Sequence, residues 1–203
     1  MKGQTSNIKY LVLIIVPFLL SFLFYEKKII RIYLVGDSTM CFYLPEQAPL
    51  TGWGMPFAEF FDQSVIVKNE AEGGESTRTF IEKNRWKPVA DSLRPGDYVL
   101  IQFGHNDEVP SKKSYTTKKK FELNLIRFVT ETRNKKANPV LITPVARRKF
   151  DDGGNIEDMH KDYSAIVRKV SLAYKVPLID LDEKSKSLLK KLALKNQNHY
   201  SWA

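Results

Sequence analysis

Short apolar runs alternate with amphipathic stretches along most of this chain, and the alternation sets the expected fold. Ile29–Val35, Ser64–Lys68, Asp97–Phe103, Pro139–Thr143 and Val176–Leu181 are rich in Val, Ile and Leu and mostly apolar on both faces, as strands of a buried parallel sheet are. Between them lie stretches with helical spacing. Met159, Tyr163, Ile166, Val167, Val170 and Tyr174 make one stripe, and Phe121, Leu125, Phe128, Val129 and Thr132 another. A weaker one, around Ile81, Val89, Ala90 and Leu93, ends at the stop signal Arg94-Pro95-Gly96. The alternation predicts a doubly wound α/β fold with a five-stranded parallel sheet and helices on both faces. In such folds ligands bind at the carboxyl ends of the strands. No internal repeat is visible.

The first residues break the pattern. Lys2 and Lys9 precede an apolar run from Tyr10 to Tyr25, interrupted only by Pro17 and Ser21. The run is shorter than the roughly 20 residues that span a bilayer as a helix. A positive start with a short apolar core has the shape of a secretory signal, although no small-x-small cleavage site follows. Residues 1–28 are therefore expected to be a signal peptide or an N-terminal membrane anchor, with membrane association only if the segment stays uncleaved. Residues 29–203 form the expected domain, exported to a bacterial periplasm, cell surface or medium.

Composition narrows the partners. At 203 residues, 43% hydrophobic and 12% aromatic, the chain is globular and long enough for one domain with a sizeable core. The net charge of +9, from 32 Lys and Arg against 23 Asp and Glu, favours an anionic partner. Lys112-Lys113 and Lys118-Lys119-Lys120 are runs without interleaved aromatics, so they read as solvated surface and no nucleic acid is expected. Cys41 stands alone, which excludes a disulfide framework and a cysteine metal cluster.

Candidate chemistry sits at three strand exits. Gly36-Asp37-Ser38-Thr39 follows the first strand, Asn69-Glu70-Ala71-Glu72-Gly73-Gly74-Glu75-Ser76 the second, and Gly104-His105-Asn106-Asp107 the third. Each alone is ordinary turn chemistry. Acyl transfer, however, needs a nucleophile at a strand end and donors aimed at a developing oxyanion. Ser38, on a strand-to-helix turn, can supply the hydroxyl and its own N–H. Gly74 lets the backbone approach closely and offers a second N–H, and Asn106 can point its amide into the same space. Asp37 and Asp107 are expected to hold loop geometry through local hydrogen bonds. Cys41 is expected to be a small buried residue, and His160, at a helix start one position off the buried stripe, to line the surface or order a loop.

Together the three blocks resemble the SGNH (GDSL-like) hydrolase superfamily, whose named blocks are this Ser, Gly and Asn and a later His. Tyr33-Leu34-Val35-Gly36-Asp37-Ser38-Thr39-Met40, Gly52-Trp53-Gly54, Gly73-Gly74-Glu75-Ser76-Thr77-Arg78-Thr79-Phe80 and Gln102-Phe103-Gly104-His105-Asn106-Asp107 look like its rhamnogalacturonan acetylesterase branch. The resemblance spans roughly residues 30 to 190. It implies a three-layer, flavodoxin-like α/β/α sandwich and deacetylation of an acidic pectic polysaccharide by a monomer with no metal or cofactor. It implies Ser38 as nucleophile, with Gly74 and Asn106 as oxyanion partners. Trp53 and His105 are the expected substrate contacts, Trp53 as a sugar-stacking platform or as core, His105 as a loop support or substrate contact.

The resemblance departs at the end. The family expects Asp-x-x-His after the fifth strand, with the His as base. Here Ile179-Asp180-Leu181 leads into a helix, and the nearest candidate is Asn196-Gln197-Asn198-His199. Asn in place of the orienting Asp lacks the charge that stabilises an imidazolium, a change worth about 10⁴ in turnover in serine proteases. The domain is thus expected to be C-terminally incomplete, its last helix missing, with His199 as the one candidate base. Two functions follow: an active acetylesterase, or an impaired remnant that binds carbohydrate. A flavodoxin-like nucleotide or phosphate binder would need more of a glycine-rich loop than Gly73-Gly74.

Overall fold

In the computed structural model, which describes residues 29–199 with side chains through Ala193, five strands form one parallel sheet. In chain order the elements are β1 (Ile30–Gly36), α1 (Gly54–Phe57), β2 (Val65–Asn69), α2 (Thr77–Glu82), α3 (Trp86–Ser92), β3 (Tyr98–Gln102), α4 (Lys118–Asn134), β4 (Asn138–Ile142), α5 (Lys161–Tyr174), β5 (Leu178–Ile179) and α6 (Leu181–His199). The strand order is β2-β1-β3-β4-β5, the flavodoxin-like order, so the sequence-predicted fold is the observed one.

Alternation along the strands splits the core. Tyr33, Val35, Val99, Ile101, Phe103 and Leu141 face α2 to α5, where Phe80, Trp86, Phe121 and Phe128 pack among them. Trp86 and Phe103 both meet Phe128, at ring centroids 4.8 and 5.8 Å apart. Ile32, Leu34, Leu100 and Ile142 face the other way, toward Met40, Trp53, Phe57 and Leu181. That second layer is thin, because α1 is a single turn. Burying an aromatic side chain is worth about 1.5–3 kcal/mol, so the first face carries most of the stability.

Four sequence expectations need correcting. The stripe around Phe121 is buried as expected, but Met159 precedes α5 and is exposed, as is Tyr174. The segment around Ile81 and Val89 is two helices, interrupted at Asn84, which takes a positive φ of 57°. The fifth strand is only two residues, because Val176 closes the end of α5: its N–H donates to the Ser171 carbonyl, and Ser171 Oγ donates to its carbonyl. Finally, no helix follows Ser38. Residues 37–41 make one turn, with the N–H of Cys41 bonded to the Asp37 carbonyl at 3.1 Å, and the chain then reaches α1 through loops and one 3₁₀ turn at Pro45–Gln47.

Candidate active site

Parallel pairing brings the three sequence blocks side by side. Leu34 is level with Asn69 on β2, and Gly36 with Gln102 on β3, so the loops leaving β1, β2 and β3 share one edge of the sheet. They are laced together. Glu72 N–H donates to the Gly36 carbonyl at 3.0 Å, and Asn69 Nδ2 to the Met40 carbonyl at 2.9 Å. Gly36 itself is required by closeness: a Cβ there would lie 2.6 Å from the Gln102 carbonyl oxygen.

The first turn holds Ser38 half-buried. Asp37 Oδ1 accepts from the N–H and the hydroxyl of Thr39, at 3.0 and 2.8 Å, and Gln102 Nε2 donates to Thr39 Oγ1. The Ser38 carbonyl accepts from Tyr43 Oη–H at 3.0 Å and from the Cys41 thiol at 3.6 Å. Burial resists the charge of Asp37, yet the adjoining His105 ring and the Thr39 donors outweigh it and hold the carboxyl below its ordinary range. Burial pushes the Cys41 thiol up, so it is inert packing. Asp37 therefore has the loop-holding geometry expected of it.

Gly74 stands in the second loop with φ +78° and nothing within 4 Å of a built Cβ. Glycine is favoured there by the backbone angle, and no protein atom of the described residues crowds the position. Glu75 and Ser76 then turn inward. Ser76 caps α2 reciprocally with Thr79, and the buried Glu75 carboxylate meets Lys83 Nζ at 2.7 Å.

In the third loop His105, Asn106 and Asp107 are all buried. Asn106 Nδ2 donates to the Glu75 carbonyl at 2.9 Å, and its Oδ1 accepts from Lys112 Nζ at 2.8 Å. Asp107 accepts from the Thr77 N–H at 3.0 Å and the Thr77 hydroxyl at 2.6 Å, tying this loop to the start of α2. Burial pushes Asp107 up to about 7 despite those donors.

The N–H of Ser38, the N–H of Gly74 and the second hydrogen of Asn106 Nδ2 are among the donors of these loops that have no acceptor among the described residues. Unclaimed donors at the strand edge that carries a serine hydroxyl are what an oxyanion of acyl transfer would use. No described side chain is hydrogen-bonded to the Ser38 hydroxyl. The side chain of His199 lies outside the described residues, as does the whole of 1–28.

Of the histidines and Trp53, only the surface placement of His160 is overturned. His105 is 7% exposed and faces inward, its Nδ1 3.6 Å from Asp37 Oδ2. Its ring meets that of His160, centroids 4.3 Å apart. His160 is 1% exposed rather than on the surface, and its Nδ1 lies 2.7 Å from Glu108 Oε2. Arg147 joins them, donating to the His105 carbonyl and to Glu108 at 3.1 and 3.2 Å. Trp53 donates its indole N–H to Gln102 Oε1 at 2.7 Å and packs edge-on against Phe57. It belongs to the thin apolar layer, where with Phe60, Leu100, Ile142 and Ile179 it borders a hollow of about 410 Å³. A second hollow, of about 680 Å³, opens beside the third loop and is lined by Glu108, Lys112, Tyr115, Arg147, Lys161 and Tyr163 among others. Sequence reasoning missed Tyr43, Glu108, Lys112 and Arg147. Only Glu108 and Lys112, next to the third block, carried any local signal.

No three His, Cys, Asp or Glu side chains among the described residues are grouped to hold a metal ion. The model of the GDSL-like Lipase/Acylhydrolase family matches residues 34–201. The chain is 42% identical over 163 residues to rhamnogalacturonan acetylesterase RhgT of Bacillus subtilis, covering 80% of this chain and 69% of that one. It is 36% identical over 160 residues to the probable rhamnogalacturonan acetylesterase YesY of the same organism, covering 76% and 71%. Among solved structures, B. subtilis YxiM superposes with a TM-score of 0.74 at 27% identity, covering 84% of this chain, which spans about half (49%) of that one. The acetylxylan esterase Axe2 of Geobacillus stearothermophilus shares the fold, with a TM-score of 0.59 at 20% identity over 81% and 83% of the two chains.

Proposed function

Because the chain belongs to the GDSL-like lipase/acylhydrolase family, we propose that it is an exported serine esterase removing acetyl groups from a pectic polysaccharide of the rhamnogalacturonan type. The observation that carries the reading is that the loops holding Ser38, Gly74 and Asn106 leave neighbouring strands at one edge of the sheet, each with a donor that has no acceptor among the described residues. Ser38 Oγ attacks the acetyl carbonyl. The oxyanion that forms receives the N–H groups of Ser38 and Gly74 and the free hydrogen of Asn106 Nδ2. Collapse breaks the ester bond, releases the sugar hydroxyl and leaves an acetyl-Ser38 that water hydrolyses to acetate. His199 is the candidate to take and return the proton. The net charge of +9 suits an acidic polymer, and the hollow beside the third loop offers Lys112, Lys118, Arg147 and Lys161 against Glu108, Asp158 and Asp162. Residues 1–28 serve as the export signal or anchor, and the domain acts as a monomer without cofactor.

The test is acetate release from acetylated rhamnogalacturonan, with acetylxylan and p-nitrophenyl acetate alongside. Release should be fastest from rhamnogalacturonan and absent in Ser38→Ala; release that survives Ser38→Ala sinks the proposal. A second reading, binding without turnover, is favoured by the lack of any described base on the Ser38 hydroxyl. It predicts retention of the polymer with no acetate released, and no effect of His199→Ala.

A further inference from the structure

Asn106 carries a lysine on its amide oxygen. Lys112 Nζ lies 2.8 Å from Oδ1, while Nδ2 of the same amide donates to the Glu75 carbonyl at 2.9 Å. An ammonium group has no acceptor and a carbonyl oxygen has no donor, so both contacts demand the same orientation of the amide. They leave one Nδ2 hydrogen unclaimed. The local chain brings Lys112 back over the third loop: its N–H donates to the Val109 carbonyl, and its carbonyl accepts from Tyr115 N–H, both at 3.0 Å.

The pairing of this lysine is unusual for its surroundings. Nearby, Lys118 pairs with Asp162 and Arg147 with Glu108. Lys112 has no carboxylate partner among the described residues. Its charge falls on a neutral amide, where it draws electron density from the oxygen and makes the N–H a stronger donor. Lys112 is exposed but Asn106 is buried, so the contact is partly shielded from solvent.

We infer that Lys112 is a positioning residue for ester hydrolysis, holding the Asn106 amide in its donor orientation and placing a positive charge one amide group from the developing oxyanion. The inference rests on the reading of Asn106 as an oxyanion donor. It differs from a direct grip of Lys112 on an acidic polymer, which its place in the wall of the larger hollow would also allow.

The experiment uses the full chain with Lys112→Met, which keeps the apolar stem, and Lys112→Arg, which keeps the charge. On p-nitrophenyl acetate, small and uncharged, Lys112→Met should lower kcat about tenfold with KM little changed, short of the 10²–10³-fold lost on deleting an oxyanion donor. Lys112→Arg should restore most of it. Adding Lys112→Met to Asn106→Ala should produce no further loss, since both act through one group. An unchanged kcat, additive losses, or a defect confined to KM on acetylated rhamnogalacturonan would overturn the inference. A second readout needs no turnover. The side-chain amide ¹H–¹⁵N signals of Asn106, identified by their absence in Asn106→Ala, should move in Lys112→Met and stay near their original position in Lys112→Arg. Signals that ignore Lys112→Met refute the contact. If no Ser38-dependent hydrolysis exists, the esterase reading fails and the positioning role falls with it, while the amide signals still decide whether Lys112 holds the Asn106 amide.

Discussion

Replacing Asn106 by alanine separates catalysis from structure, because the two hydrogens of its amide do different things. One bonds the buried Glu75 carbonyl at 2.9 Å; the other is free at the strand edge. Loss of the free donor should lower kcat by about 10²–10³-fold, or roughly 2.7–4 kcal/mol of transition-state stabilisation, with KM little altered. Loss of the bonded one strands a carbonyl next to a side chain that is 3% exposed, which costs roughly 1–3 kcal/mol of stability. For a domain of this size each kcal/mol lowers Tm by about 2–4 °C, so a drop of roughly 2–12 °C is expected. The assay is hydrolysis of p-nitrophenyl acetate well below the variant's melting range, with melting followed by circular dichroism. A KM effect at constant kcat would make Asn106 a ground-state contact. A kcat within threefold of the parent, alongside the expected fall in Tm, would reduce it to a structural residue.

Two further outcomes test the loops around it. Asp107 is pushed up to about 7 by burial, whereas the unfolded chain releases that proton near 3.8. Its contribution to stability is therefore complete below about pH 4 and is lost as pH rises toward 7, at up to ~1.4 kcal/mol per pH unit. Urea unfolding from pH 4 to 8 should show this decline, and Asp107→Asn should flatten it; the same slope in the variant refutes the assignment. Asp37, held below its ordinary value, acts in the opposite sense and only as pH falls below about 4, so the windows are separate. Gly74→Ala should lose about 1–2 kcal/mol through its φ of +78° alone, since a Cβ meets nothing there. Gly73→Ala, equally open and outside that backbone region, is the control, and equal melting points for the two variants would refute the argument.

Local periodicity made the five strands, the α4 stripe and the three loops at strand exits legible in the sequence. Each is a pattern of neighbours a few residues apart, and a parallel sheet has to place consecutive strand exits on one edge. Gly36, Ser38, Gly74 and Asn106 thus stand out in the sequence alone. The sequence by itself did not reveal what each loop leans on. Asp107 finds Thr77 across 30 residues, Arg147 the His105 carbonyl across 42, and His160 reaches Glu108 across 52, so no spacing rule links them. His160 read as a surface residue because its position misses the helical stripe; burial comes instead from the loop packed over the start of α5. Trp53 became part of the apolar layer because Gln102, two strands away from β2 in the sheet, presents an acceptor to its indole N–H. Even the length of β5 was a tertiary decision, taken when Ser171 claimed Val176 for the end of a helix. Propensity and period are properties of a segment, whereas the partner of a buried polar group is chosen by the whole fold, which cannot leave that group unpaired without loss.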